Sequence, residues 1–350
     1  MNPGHPAGAR VVQGLRALYF DGTRMYGARG AELVVSEDAG RTWRGFGRLS
    51  FRPAYRAATH LRPAQRLARA EVYKLQRCGE HLVALARGGV YTGSAASGVL
   101  HLSFPVSRGS RPLSLAVGPE GEILFGEYHS NLERGPMRIY CSRDRDRWEV
   151  VHEFAAGEIR HVHGIYYDRH AGCFWVLVGD DGPEPGIARC SPDFSSVRFV
   201  RRGTQSVRAY SLLIRPEGLV FATDTERERN AIYAMDREGK TLQELQAIEN
   251  SCFHSGTFGD WMFFSTACEP SPHNDERFLH LWASRDTRTW RKIAVYRKDR
   301  WPFWFQYGNL FFPEGETHRL EELVYSGTAL RGADDVTVFV PLRALEGGGQ

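Results

Sequence analysis

The chain has 350 residues, 42% hydrophobic, 25% charged and 12% aromatic, with 37 Gly and only 5 Met. With a mean hydropathy of −0.40 and no apolar run of about 18 residues, this composition excludes a disordered chain, a collagen-like repeat, a coiled coil and a membrane-spanning helix. Lys+Arg is 45 against 41 Asp+Glu, a net charge of +4. The basic residues run from Arg10 to Arg343 and alternate with acids, as in Arg143-Asp144-Arg145-Asp146-Arg147, so no nucleic-acid-binding face is expected.

In chain order, the first ten residues carry no basic segment followed by an apolar one, so no signal peptide is read and a cytoplasmic location is expected. The six cysteines (78, 141, 173, 190, 252 and 268) contain no C-x-x-C pair, which predicts reduced, mostly buried thiols. A short apolar strand at Glu32–Val35 leads into Ser36-Glu-Asp38-Ala-Gly40-Arg-Thr42-Trp43. Residues 52–69 place Tyr55, Ala58, Leu61, Ala64, Leu67 and Ala68 near helical spacing, predicting an inserted helix or long loop interrupted by Pro63. The strand-then-turn pattern returns at Ser142-Arg-Asp144…Trp148 and Ser284-Arg-Asp286-Thr-Arg-Thr289-Trp290, with weaker copies at Ser191-Pro-Asp193 and Asp236-Arg-Glu-Gly239. Their separations are about 50 residues or twice that, the length of a propeller blade.

Strand, Asp/Gly turn, strand is a hairpin signal: the carboxylate accepts backbone N–H bonds inside the turn, Gly takes positive φ, and the aromatic covers the hairpin. These turns are structural clasps. Cys141 and Cys190 occupy the repeat position of Val35 and Ala283, which marks them as buried strand residues.

The five turns resemble the Asp-box (BNR) repeat of the sialidase superfamily of β-propellers. The resemblance implies an all-β, seven-bladed β-propeller filling residues 1–350 as one domain, with six blades as the alternative. Approximate blades are 11–50, 70–107, 111–154, 160–201, 207–249, 251–298 and 303–341. Ala9-Arg-Val-Val-Gln13 supplies the outer strand of the last blade and closes the ring.

In such a blade the Asp turns lie on one face, and the starts of first strands and ends of second strands lie on the other. Those positions bring together Glu127, His163, Asp180, Arg208, Tyr210, Asp224 and Glu269 as candidate catalytic groups. Tyr128, His129, His161, Asp181, Glu226, His254, Gln306 and Tyr307 are candidate substrate-binding groups. Singly, a strand histidine or a post-strand aspartate more often serves structure; recurrence at equivalent blade positions points to a ligand site at the channel mouth. Aromatics (Trp175, Trp261, Trp301, Phe303, Trp304, Phe305) beside acids and histidines suit a sugar.

The leading expectation is a carbohydrate-active enzyme cleaving a glycosidic bond between two carboxyl groups. The first alternative is a lyase that eliminates across a uronic acid, with Tyr210 or His163 as base and Arg208 or a bound divalent metal neutralising the carboxylate. The second is a glycan-binding or assembly propeller without catalysis. No metal is assigned; for the lyase, His129, His161, His163 and His254 with Gln306 are similar in kind to the ligands of metal-assisted propeller lyases of the oligogalacturonate type. Sialidases use an arginine triad, for which Arg29, Arg87 and Arg208 hold candidate positions, but the chain has no F-R-I-P stretch. A carbohydrate ligand is the expected partner, with no nucleic acid and no membrane insertion.

Overall fold

A computed structural model describes residues 4–346, of which strands dominate (49% strand against 8% helix). Strand pairing divides these residues into five separate four-stranded sheets and one nine-stranded sheet. The nine-stranded sheet contains two antiparallel units, 16–49 and 72–105, joined through the two-residue parallel pairing of Arg48 with Val99 and Leu49 with Leu100. A Cβ on Gly47 would lie 2.0 Å from the carbonyl oxygen of Gly98, so glycine is required for these outer strands to meet. The other antiparallel units are 116–154, 162–202, 209–247 and 252–297. The remaining sheet pairs the strands Asn309–Phe311, Glu322–Thr328 and Val336–Pro341 with Arg10–Gln13 from the chain's beginning.

Five of these units realise the strand, Asp turn, strand pattern in three dimensions. In the first turn, the Asp38 carboxylate accepts the N–H groups of Arg41 (3.0 Å) and Thr42 (2.8 Å) and the Thr42 hydroxyl (2.6 Å), while Gly40 takes φ +82°. Asp286 accepts the N–H groups of Arg288 and Thr289, and Asp144, Asp193 and Asp236 cap their turns in the same way. Trp148 Nε1 donates to Ser103 Oγ of the preceding unit at 2.9 Å, and its ring packs on Phe104 and Phe125. That aromatic cover joins neighbouring sheets, each ring pair contributing about 0.5–1.5 kcal/mol. All six cysteines are buried and unbridged.

The insertion forms two short helices, Pro53–Ala58 and Arg62–Ala68. Pro63 does not interrupt a helix here. It stands in the first turn of the second one, where its missing N–H costs nothing. Buried and half-buried ion pairs anchor that helix: Arg62 to Glu71 (2.7 Å) and Asp334 (2.6 Å), Arg66 to Asp299 (2.5 Å), and Glu71 onward to Arg16 (2.9 Å). No helix among the described residues is long and apolar enough to cross a membrane.

Candidate functional site

The end of each second strand returns beside the start of its first. The Gly179 N–H donates to the carbonyl of His161 (3.2 Å), Asp224 N–H to that of Arg208 (2.9 Å), and Ala267 N–H to that of Ser251 (2.9 Å). At the same place the register slips, between Val162 and Gly164, Ala209 and Leu212, and Cys252 and His254. Such bulges turn side chains out of the sheet alternation and toward a rim. Gly164 is required beside the first bulge, because a Cβ there would lie 2.5 Å from the Tyr166 ring. The result is a cavity of about 820 Å³ on the face away from the Asp turns.

Asp180 is the centre of one wall. Its Oδ2 lies 2.9 Å from His161 Nε2, and its Oδ1 lies 3.1 Å from both His163 Nε2 and Arg208 Nη2. Gln205 fixes the segment by donating from Nε2 to the Asp180 carbonyl and accepting the Thr225 hydroxyl at Oε1. Burial alone would push the Asp180 carboxyl up, but the close contacts of His161 and His163 outweigh it and hold the group well below the usual carboxylate range.

The adjacent wall behaves in the opposite sense. Burial pushes Asp224 far above the ordinary aspartate value, and the negative charges of Glu269, Asp180 and Glu226 add to it against the opposing pull of Arg208. Burial also pushes Glu269 up to about 7. Asp224 Oδ1, Glu269 Oε2, and Arg208 Nε and Nη1 are buried without a hydrogen-bond partner. Unsatisfied polar atoms on three neighbouring side chains are costly unless a ligand completes them.

The far wall is aromatic and cationic. Arg111 lies with its guanidinium carbon 3.2 Å from the Tyr73 ring centre, His254 packs on Phe311 at 4.5 Å, and Tyr210 on Phe253 at 5.5 Å. Gln306 donates to Glu71 at 3.4 Å, while its Oε1 is buried and unpartnered. At the rim stand Phe303, Trp304 and Tyr307. Trp304 is 63% exposed, on a segment that follows Asp299 and its bond to Arg66 of the insertion.

Of the residues singled out from sequence, the cavity gathers His163, Asp180, Arg208, Tyr210, Asp224, Glu269, Tyr128, His129, His161, Glu226, His254, Gln306 and Tyr307. Two stand elsewhere. Glu127 accepts the Arg138 N–H (2.9 Å) and the Tyr140 hydroxyl (3.4 Å) beside a separate small hollow, and Asp181 is ion-paired with Arg134, Arg160 and Arg227. The four-histidine ligand set also separates: His129 accepts the Asn131 N–H at Nδ1 and His254 sits among aromatics, whereas Asp180 joins His161 and His163. Arg29 lines a different surface hollow and Arg87 lies over Tyr55, so the candidate arginine triad does not assemble. Trp175 and Trp261 are core residues. Sequence reasoning missed Arg69, Tyr73, Arg111 and Arg160 in the lining; Tyr73 stands at the same first-strand bulge as His163 and Arg160 directly precedes His161, so the repeat could have found both, whereas Arg69 and Arg111 come from segments outside the repeated positions and only their charge could have drawn attention.

No known protein-family profile matches the sequence, and no curated protein matches it. Solved structures do. A chain of a mitotic checkpoint complex is similar over 96% of this chain and 94% of its own, with a TM-score of 0.58 at 11% identity. The fold is a β-propeller. A prolyl endopeptidase is similar over 90% of this chain, which spans 46% of that enzyme, with a TM-score of 0.56 at 10% identity. At such identities the likeness concerns architecture alone.

Proposed function

We propose that this β-propeller is a carbohydrate-active enzyme that hydrolyses a glycosidic bond of an acidic oligosaccharide at the channel mouth. The observation that carries the reading is the Asp224–Glu269 pair. Both carboxyls are held toward the protonated form while Arg208 favours a charge beside them. The pair therefore keeps a proton at neutral pH, offering a carboxylic acid to the leaving oxygen and a carboxylate to the other side of the bond. Arg69, Arg111, Arg160 and Arg208 in the lining supply charge-assisted donors for an acidic sugar. Phe303, Trp304 and Tyr307 offer aromatic faces for the apolar side of a pyranose. Elimination is the less favoured chemistry, because burial pushes the Tyr210 phenol up and away from use as a base.

The test is release of reducing ends from a panel of acidic oligosaccharides by the wild type, Asp224→Asn and Glu269→Gln. Loss of turnover in both variants with retained ligand binding supports hydrolysis. Product carrying the ultraviolet absorbance of an unsaturated uronate indicates elimination, and binding without turnover in the wild type indicates a glycan-binding propeller.

A further inference from the structure

We propose that His161, His163 and Asp180 bind one divalent first-row transition-metal ion, with its remaining coordination positions open to the cavity. Hydrogen-bond accounting leads there. His161 Nδ1 lies 3.1 Å from the carbonyl oxygen of His129, and His163 Nδ1 lies 3.1 Å from that of Ala209. A carbonyl oxygen only accepts, so each Nδ1 carries the proton and a neutral ring presents a lone pair at Nε2. Yet each Nε2 faces an oxygen of Asp180, at 2.9 and 3.1 Å. Two lone pairs then oppose one carboxylate in a buried place, unless both rings take a second proton or a cation lies among the three groups. One divalent ion supplies the same charge as those two protons and accepts all three donors at once.

The dimensions agree. Bonds of about 2.1 Å at right angles set neighbouring ligand atoms about 3.0 Å apart, close to the 2.9 and 3.1 Å between the two Nε2 atoms and the Asp180 oxygens. Nδ1–H to backbone carbonyl is the outer contact that orients a metal-bound imidazole. Two imidazoles with one carboxylate suit a borderline ion such as Zn²⁺, Fe²⁺ or Co²⁺ and not Ca²⁺. Arg208 at 3.1 Å and Arg160 at 3.5 Å also approach the Asp180 oxygens, and Asp181, Asp224, Glu226 and Glu269 supply the acidic groups nearby. A substrate carboxylate or hydroxyl oxygen is the group such an ion would receive.

The test uses Co²⁺ and the full chain after chelator treatment. Wild-type protein is expected to bind one equivalent, with visible Co²⁺ absorption and an X-ray absorption spectrum showing two imidazole ligands. His163→Ala and Asp180→Asn, checked for folding by thermal unfolding, are expected to weaken binding more than about tenfold. His129→Ala and His254→Ala, the cavity's other two histidines, are expected to leave it unchanged. Uptake below a tenth of an equivalent by the wild type, a spectrum without imidazole, or loss confined to the His129 or His254 variants would overturn the proposal. Because the readout needs no turnover, a protein that binds Co²⁺ but cleaves no glycan keeps this site and refutes the hydrolase reading.

Discussion

Replacing Glu269 by Gln removes a carboxyl that the cavity keeps protonated far beyond its ordinary range. In the unfolded chain the group titrates near 4.5, and in the folded protein burial raises it to about 7. Between those values the folded protein holds a proton that the unfolded chain has released, so this residue's contribution to stability falls as pH rises from 4.5 to 7. At about 1.4 kcal/mol for each pH unit, the loss is at most about 3.5 kcal/mol, and smaller in so far as water screens the partly exposed side chain. Urea unfolding of the wild type and Glu269→Gln at half-unit pH steps measures it. The difference curve cancels the histidines to first order. The wild type should lose stability relative to the variant across that window and run parallel to it on either side. Parallel curves throughout, or a wild type that gains stability with rising pH, would refute the claim that the cavity raises this carboxyl.

Glu71→Ala should destabilise the protein by about 3–5 kcal/mol in denaturant unfolding, since it leaves Arg16 buried and Arg62 short of a partner. Trp304→Ala should leave unfolding within about 0.5 kcal/mol of wild type while weakening oligosaccharide binding about three- to tenfold by calorimetry. Asp38→Ala removes the acceptor of the first turn, and should lower the unfolding temperature while leaving ligand affinity unchanged, because the turn lies on the face away from the cavity.

The repeat made the fold legible because each of the five turns pairs an Asp acceptor with a positive-φ residue, and three of them add a tryptophan cover within a few residues. The blade-end positions were legible for a related reason: the Gly179, Asp224 and Ala267 N–H bonds recur at equivalent places, so acids and histidines there converge in space. Glu127 shows the limit. It sits at a blade end, but its own hairpin satisfies it through Arg138 and Tyr140. Arg69 and Arg111 show the opposite limit, since they enter the cavity from segments outside the repeated positions. Asp180 combined both difficulties. Its place was readable from the period, but its pairing with His161 and His163, and not with His129 or His254, depends on which nitrogens face which carbonyls.

In the proposed hydrolysis the Asp224–Glu269 pair cleaves the glycosidic bond. Measuring reducing-end release from acidic oligosaccharides by the wild type and Glu269→Gln, with affinity followed in parallel by calorimetry, tests it most directly. Hydrolysis by this pair predicts measurable turnover by the wild type, a loss of at least about a hundredfold in the variant, and affinity within a few-fold of wild type. Equal turnover by both proteins, or none by a wild type that binds the same glycan, would contradict it.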